Sequence, residues 1–242
     1  MQNPVYRNHL KEIDLFNDLT SQELDLVLQS AQKKQAQDGA FFFMQGDPAD
    51  TLYVLISGRV KLIQIAADGQ QVLLRMIGPW SLFAVIAIVK NTHYPISAQA
   101  AEDCEVLAWS KFALMDLTRQ IPQLAMNSMK FLADRVHEYQ DRVRELSTER
   151  VERRLARALL RLAVQSGVKT VDGVLIGLPL SRQDLAEMTG TTLFTVSRIL
   201  SQWESINIVS TGREKVVIKF PHGLVRIADD LPPFPPEEST LD

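Results

Sequence analysis

The sequence predicts an α+β fold in three successive parts: an N-terminal antiparallel β-roll, one long helix, and a C-terminal helix-turn-helix with a β-hairpin wing. Three observations predict it. Short β runs alternate with glycine-bearing turns over residues 39–109, apolar residues recur at 4-3 spacing from Ala125 to Leu146, and residues 181–204 divide into two helical patterns about Gly190. The expected boundaries are 1–121 for the roll, 122–147 for the long helix, 148–222 for the helix-turn-helix unit and 223–242 for a C-terminal tail.

Residues 4–35 read as short helices, in which Leu15 and Phe16 lead to Thr20 and Glu23, spaced as a capping box, and then to Leu24, Val27 and Leu28. From Gly39 the pattern changes. Residues 40–44 run into Gly46-Asp47, 52–56 into Ser57-Gly58, 60–65 into Asp68-Gly69, and 71–77 into Gly78-Pro79. Strands of about five residues with turn signals every roughly 8 to 12, and no helix between them, make an antiparallel sandwich or roll. Residues 80–90 are mostly apolar and read as a short helix over the roll; strands return at 96–101 and 104–109.

Beyond Pro122 the period is helical. Ala125, Met129, Leu132, Val136, Tyr139, Val143 and Leu146 form an a/d seam with polar residues between them. Such a seam can pack on the chain's own roll, but a narrow stripe with a strict 3.5-residue period favours an identical helix, so Met129, Leu132, Val136, Tyr139, Val143 and Leu146 are the expected homodimer interface. Ser147 and Thr148 break the pattern as a hinge would. Residues 151–164 then form a helix with Leu155, Ala158, Leu159 and Leu162 inward, followed by a turn to Gly173 and a strand over 174–178.

Ser181 and Asp184 are spaced as a second capping box, Gly190 supplies a sharp turn, and Thr191 or Thr192 caps the next helix. At about 100° per residue, Val196, Ile199, Leu200 and Trp203 share one face, and Phe194, Ser197, Arg198 and Ser201 the other. A helix packed on one side and bearing Arg, Ser and an aromatic on the other suits a DNA major groove, where Arg binds guanine O6 and N7 together. Two β-branched runs around a turn containing Gly212 follow as a wing, whose Arg213 and Lys215 suit phosphate. Residues 150–222 hold eleven basic and six acidic side chains, a balance of +5 in a chain whose net charge is −3. Positive charge is thus segregated into the segment that would meet DNA.

With 242 residues and 46% hydrophobic content the chain can bury two cores. Its longest apolar run is far short of the roughly 20 residues of a membrane-spanning helix, and the N-terminus lacks a signal-peptide pattern, so a soluble cytoplasmic protein is expected. A single cysteine, Cys104, allows no internal disulfide and no cysteine-ligated iron–sulfur cluster. The histidines, His9, His93, His137 and His222, are scattered and no nucleophile or phosphate-loop motif occurs, which argues against an enzyme.

This order of parts resembles the CRP/FNR family of bacterial transcription regulators from Asp14 to about Ile218. The matching motifs are Gly39, Gly46-Asp47, Tyr53-Val54-Leu55-Ile56-Ser57-Gly58, Asp68-Gly69 and Thr195-Val196-Ser197-Arg198-Ile199-Leu200. The resemblance implies a cyclic-nucleotide-binding-like roll that senses an effector, a homodimer reading an inverted repeat of double-stranded DNA, and RNA polymerase as a partner. It also sets Phe194 where many relatives carry Glu. Members that bind cyclic AMP carry Gly-Glu and Arg-Ser where this chain has Ala84-Val85 and Tyr94-Pro95, and the adenine-facing helix positions here are Tyr139 and Gln140. Val85, Tyr94, Pro95, Tyr139 and Gln140 are therefore the expected effector pocket, without a cationic phosphate clamp. Residues 83–100 look most like the nitric-oxide-responsive branch, which implies haem with His93 or His137 as axial ligand; the alternative is a roll that binds a different small molecule or nothing. The alternative to a DNA-binding regulator is a cyclic-nucleotide-type sensor module that acts through protein contacts.

Overall fold

The computed structural model describes residues 4–65, 71–89, 91–177 and 180–231. Its contacts divide the chain into two compact units, Met1–Asp141 and Arg142–Asp242. The division falls inside the long helix rather than at its ends, where the sequence pattern sets the boundaries. Asp68-Gly69, Lys90, Leu178 and the proline-rich end of the tail lie outside the described residues.

The first unit opens with α1 (Pro4–Lys11) and α2 (Ser21–Gln29), the latter started by the predicted Thr20–Glu23 capping box. Among the described residues eight strands follow: β1 (Gln32–Ala36), β2 (Phe41–Phe43), β3 (Thr51–Ser57), β4 (Val60–Ile65), β5 (Gln71–Ile77), β6 (Leu82–Phe83), β7 (Ser97–Ala100) and β8 (Cys104–Ser110). They form two antiparallel sheets ordered β1-β8-β3-β6 and β2-β7-β4-β5. Leu52, Tyr53, Val54 and Leu55 are buried in succession, as are Val106, Leu107, Ala108 and Trp109. These two strands are covered on both faces, so they read as continuous apolar runs without alternation. Trp109 is fully buried and its Nε1 donates to the Val27 carbonyl at 2.8 Å, tying α2 to the sheet. α3 (Lys111–Gln120) and α4 (Pro122–Thr148, 27 residues) follow, and Leu124 and Ile121 join the roll's core.

Three elements differ from the sequence reading. Residues 32–36, QKKQA, are not helical but pair with β8 from Gln32↔Ala108 to Ala36↔Cys104; an edge strand with four exposed residues carries no apolar alternation to announce it. The described residues 80–89 are not one helix: Leu82–Phe83 pair with β3, Ala84 turns left-handed at φ 66, and only Val85–Ile88 make a 3₁₀ turn. The break between helices comes at Glu149 and Arg150 rather than at Ser147 and Thr148, the Glu149 N–H still donating to the Glu145 carbonyl in the helical pattern.

In the second unit α5 (Val151–Ser166) buries Leu155, Ala156, Ala158, Leu159 and Leu162. β9 (Gly167–Thr170) and β10 (Gly173–Ile176) form a hairpin. α6 (Arg182–Thr189), α7 (Leu193–Ser205), β11 (Val209–Gly212), β12 (Lys215–Ile218) and α8 (Pro221–Ala228) complete it. The wing is thus a four-stranded sheet, β11-β12-β10-β9, larger than the predicted hairpin. Gly212 closes β11 opposite Lys215, and the turn itself is Arg213-Glu214, with Glu214 at φ 53. Residues 221–228, divided in the sequence reading between the unit and the tail, form helix and bury Leu224 and Ala228.

Candidate nucleic-acid interface and effector region

The helix-turn-helix is built as its local sequence dictates. The Ser181 side chain accepts from the Asp184 N–H, and the Asp184 carboxylate accepts from the Ser181 N–H, so two orphan donors at the start of α6 are satisfied together. Gly190 ends α6 at φ 59, a left-handed conformation that glycine reaches without strain. Of the two candidate caps, Thr192 starts α7, accepting from the Thr195 N–H at 3.2 Å. Val196, Ile199, Leu200 and Trp203 are buried, and Trp203 Nε1 donates to Glu152 at 3.1 Å.

The opposite face of α7 presents Phe194, which is 76% exposed, with Arg198 and Ser201 also exposed and Ser197 half-buried. Among the described residues the Arg198 guanidinium has no hydrogen-bond or ion-pair partner. Thr191 is half-buried in the turn. The wing is bolted to this helix: Glu204 accepts from the Thr211 N–H at 2.6 Å and from its hydroxyl at 2.9 Å. Arg213 and Lys215 are exposed at the wing tip. Arg182, at the start of α6, reaches the Thr211 hydroxyl at 3.4 Å and adds a third cation to this edge.

Two further arginines position the turn without facing solvent as a reading group would. Arg154 of α5 donates to the Thr189 carbonyl at 2.9 Å and the Glu149 carbonyl at 2.8 Å, and Arg142 donates to the Met188 carbonyl at 2.6 Å. Cations thus satisfy the last carbonyls of α6, where the helix dipole is negative. Sequence reasoning missed both, because contacts 35 and 46 residues apart leave no local spacing to recognise. Arg154→Ala is expected to lower the unfolding free energy of this unit by about 1.5 to 3 kcal/mol, the range for hydrogen bonds to a charged group. Urea denaturation checks this, with Lys restoring only part of the loss.

In the roll, Val85 and Tyr94 are buried, and Pro95 is exposed. The Tyr94 ring stacks on Phe43 with centroids 3.7 Å apart, and Phe43 in turn stacks on Tyr53 and Phe83. The Tyr94 hydroxyl donates to the Thr51 carbonyl at 2.7 Å and accepts from its N–H at 2.9 Å. An aromatic stack with a locked hydroxyl therefore occupies this place. Burial pushes the phenol up to about 12, from an ordinary value of 10.0. A raised folded value means the native state holds the proton more tightly, so this group's contribution is intact below about pH 10 and is lost as pH rises toward 12. Tyr94→Phe is expected to cost about 1 to 3 kcal/mol at neutral pH, by leaving the Thr51 peptide groups unpaired, and to flatten that alkaline decline. Denaturant midpoints measured across pH test both parts.

His93 and His137 are exposed, and His93 pairs through its backbone with Pro48. Exposed imidazoles do not fit as axial ligands of an enclosed haem. Nor is the long helix without cations in this unit. Glu138 of α4 is shared by Arg75 of β5, at 3.7 Å, and by Arg135. Both guanidiniums are held by a carboxylate, and Tyr139 and Gln140 beside them are exposed.

The seam of α4 is uncovered. Met129, Val136, Tyr139, Val143 and Leu146 are 45% to 66% exposed, whereas Leu132 packs partly against the roll. The adjoining face of the same helix is occupied: Asn127 donates to the Leu15 and Asn17 carbonyls.

Residues 33–120 match the cyclic nucleotide-binding domain family, and residues 153–227 match the Crp-like helix-turn-helix domain family. The cyclic AMP receptor protein of Thermus thermophilus is 32% identical over 210 residues, covering 87% of this chain and 94% of that one. The anaerobic regulatory protein of Bacillus subtilis is 26% identical over 228 residues, covering 93% and 96%. In three dimensions FixK2 from Bradyrhizobium japonicum aligns with a TM-score of 0.72 at 22% identity, over 81% of this chain and 96% of that one, a likeness of fold. A β-roll, a long helix and a winged helix-turn-helix, matched over 87% of the chain by the Thermus thermophilus relative at 32% identity, make the chain a member of the CRP/FNR family of DNA-binding transcription regulators.

Proposed function

We propose that this regulator works as a homodimer joined along α4, reads an inverted repeat with one α7 in each of two successive major grooves, and is controlled by an effector other than cyclic AMP. The observation that supports the dimer is the exposed 4-3 seam, since a stripe of large apolar side chains left open to solvent along a long helix calls for a partner of matching period. A two-fold axis then spaces the half-sites about 34 Å apart. Arg198 is assigned the base contact, Phe194, Ser197 and Ser201 the rest of the reading face, and Thr191, Thr192, Arg213 and Lys215 the backbone. RNA polymerase contact and cytoplasmic location belong to the same reading; no helix of the described residues is long and apolar enough to cross a membrane.

The effector reading rests on charge. A cyclic phosphate is an anion at pH 7, and burying one without a cation or several N–H donors costs several kcal/mol. Val85, Tyr94 and Pro95 supply no cation, and Arg75 and Arg135 are already engaged with Glu138. Calorimetry is expected to detect no saturable cyclic AMP binding below the millimolar range; a micromolar isotherm would overturn this. Cyclic AMP receptor and anaerobic regulator both stand among the relatives, so similarity does not single out nitric oxide or any other signal. Haem ligated by His93 or His137 would regain support only from a Soret band that disappears when both are replaced.

A further inference from the structure

Apart from the surfaces assigned above, the second unit contains a cleft of about 560 Å³, walled by the start of α5, the end of α7 and α8. That volume is within the range of small-molecule sites. Its apolar wall is exposed: Ile206 is 58%, Phe220 40% and Leu231 50% accessible, and all three line the same opening. The wall is also shaped. Gly223 carries no Cβ, and one placed there would lie 2.5 Å from the Phe220 ring, so glycine lets the ring lie against α8.

The polar lining is unequally engaged. Arg153 is committed to Glu149 at 3.7 Å and Asp230 at 3.6 Å, and Glu152 accepts from Trp203. Arg150 is exposed and, among the described residues, has no carboxylate within 4.0 Å. The cleft thus offers one uncommitted guanidinium at the edge of an apolar wall, which is the complement of an amphiphile with a single anionic head.

We propose that this cleft binds a small amphipathic carboxylate, its head on Arg150 and its apolar body on Ile206, Phe220 and Leu231. The helix-turn-helix unit then has a ligand input of its own, abutting the C-terminal turn of the recognition helix and separate from the roll.

Isothermal titration of the full chain with decanoate tests this, with decanol and decyltrimethylammonium as head-group controls. One saturable decanoate site per chain is expected, with decanol at least about ten-fold weaker, the equivalent of one charge-assisted hydrogen bond. Ile206→Glu should abolish binding and Arg150→Gln should weaken it at least about ten-fold; both side chains are exposed, and an unchanged thermal midpoint certifies their folding. Equal binding of all three amphiphiles, or decanoate binding undiminished in Ile206→Glu, would overturn the proposal. So would binding seen only in a chain ended at Leu231, which would give the cleft to the chain's own C-terminal residues, and so would no binding at all.

Discussion

Replacing Val136 and Val143 with Glu is expected to convert the dimer to a monomer and to weaken operator binding by about 100-fold or more. Both side chains are more than half exposed in the single chain, so the roll and the helix-turn-helix should fold as before. In the dimer each would bring a carboxylate against its own copy across the seam, and buried like charges without a cation cost several kcal/mol. Losing the second half-site then removes the avidity that linkage gives, typically two to four orders of magnitude. Sedimentation velocity and gel shift measured on the same samples check both consequences. A wild-type chain that sediments as a monomer at micromolar concentration would contradict the dimer outright.

Arg198→Ala carries the second large effect. Bidentate pairing of a guanidinium with a guanine is worth about 1 to 3 kcal/mol per contact, so a symmetric dimer should lose about 2 to 6 kcal/mol. The preference at one base pair in each half-site should relax as well. Arg213→Ala and Lys215→Ala should behave differently, weakening all sequences alike and flattening the salt dependence, as loss of a phosphate contact does. Selection from a random library separates these outcomes. An unchanged base preference in the Arg198 variant would remove that residue from base reading.

Local chemistry was legible where a residue type has one strong conformational consequence. Thr20 with Glu23, Ser181 with Asp184, and Gly190 all announced helix ends, and each sits at one. The alternation of Val196, Ile199, Leu200 and Trp203 with Phe194 and Arg198 likewise foretold which face is buried. Illegible were features whose cause is distant. β1 is a strand because β8 lends it hydrogen bonds, not because QKKQA prefers one. Residues 80–90 are apolar enough for a helix, yet pairing of Leu82 and Phe83 with β3 gains more than a short helix would. The stacking of Tyr94 on Phe43 was likewise illegible, because the two rings come from distant parts of the sequence. Arg142 and Arg154 went unseen because their partners are backbone carbonyls of another helix.

The measurement that bears most directly on the central claim is selection of operator DNA from a random duplex library, followed by sedimentation of the complex. An inverted repeat with half-sites about 34 Å apart, bound by two chains, is the predicted result. A single half-site bound by one chain, or enrichment of no sequence at all, would contradict it.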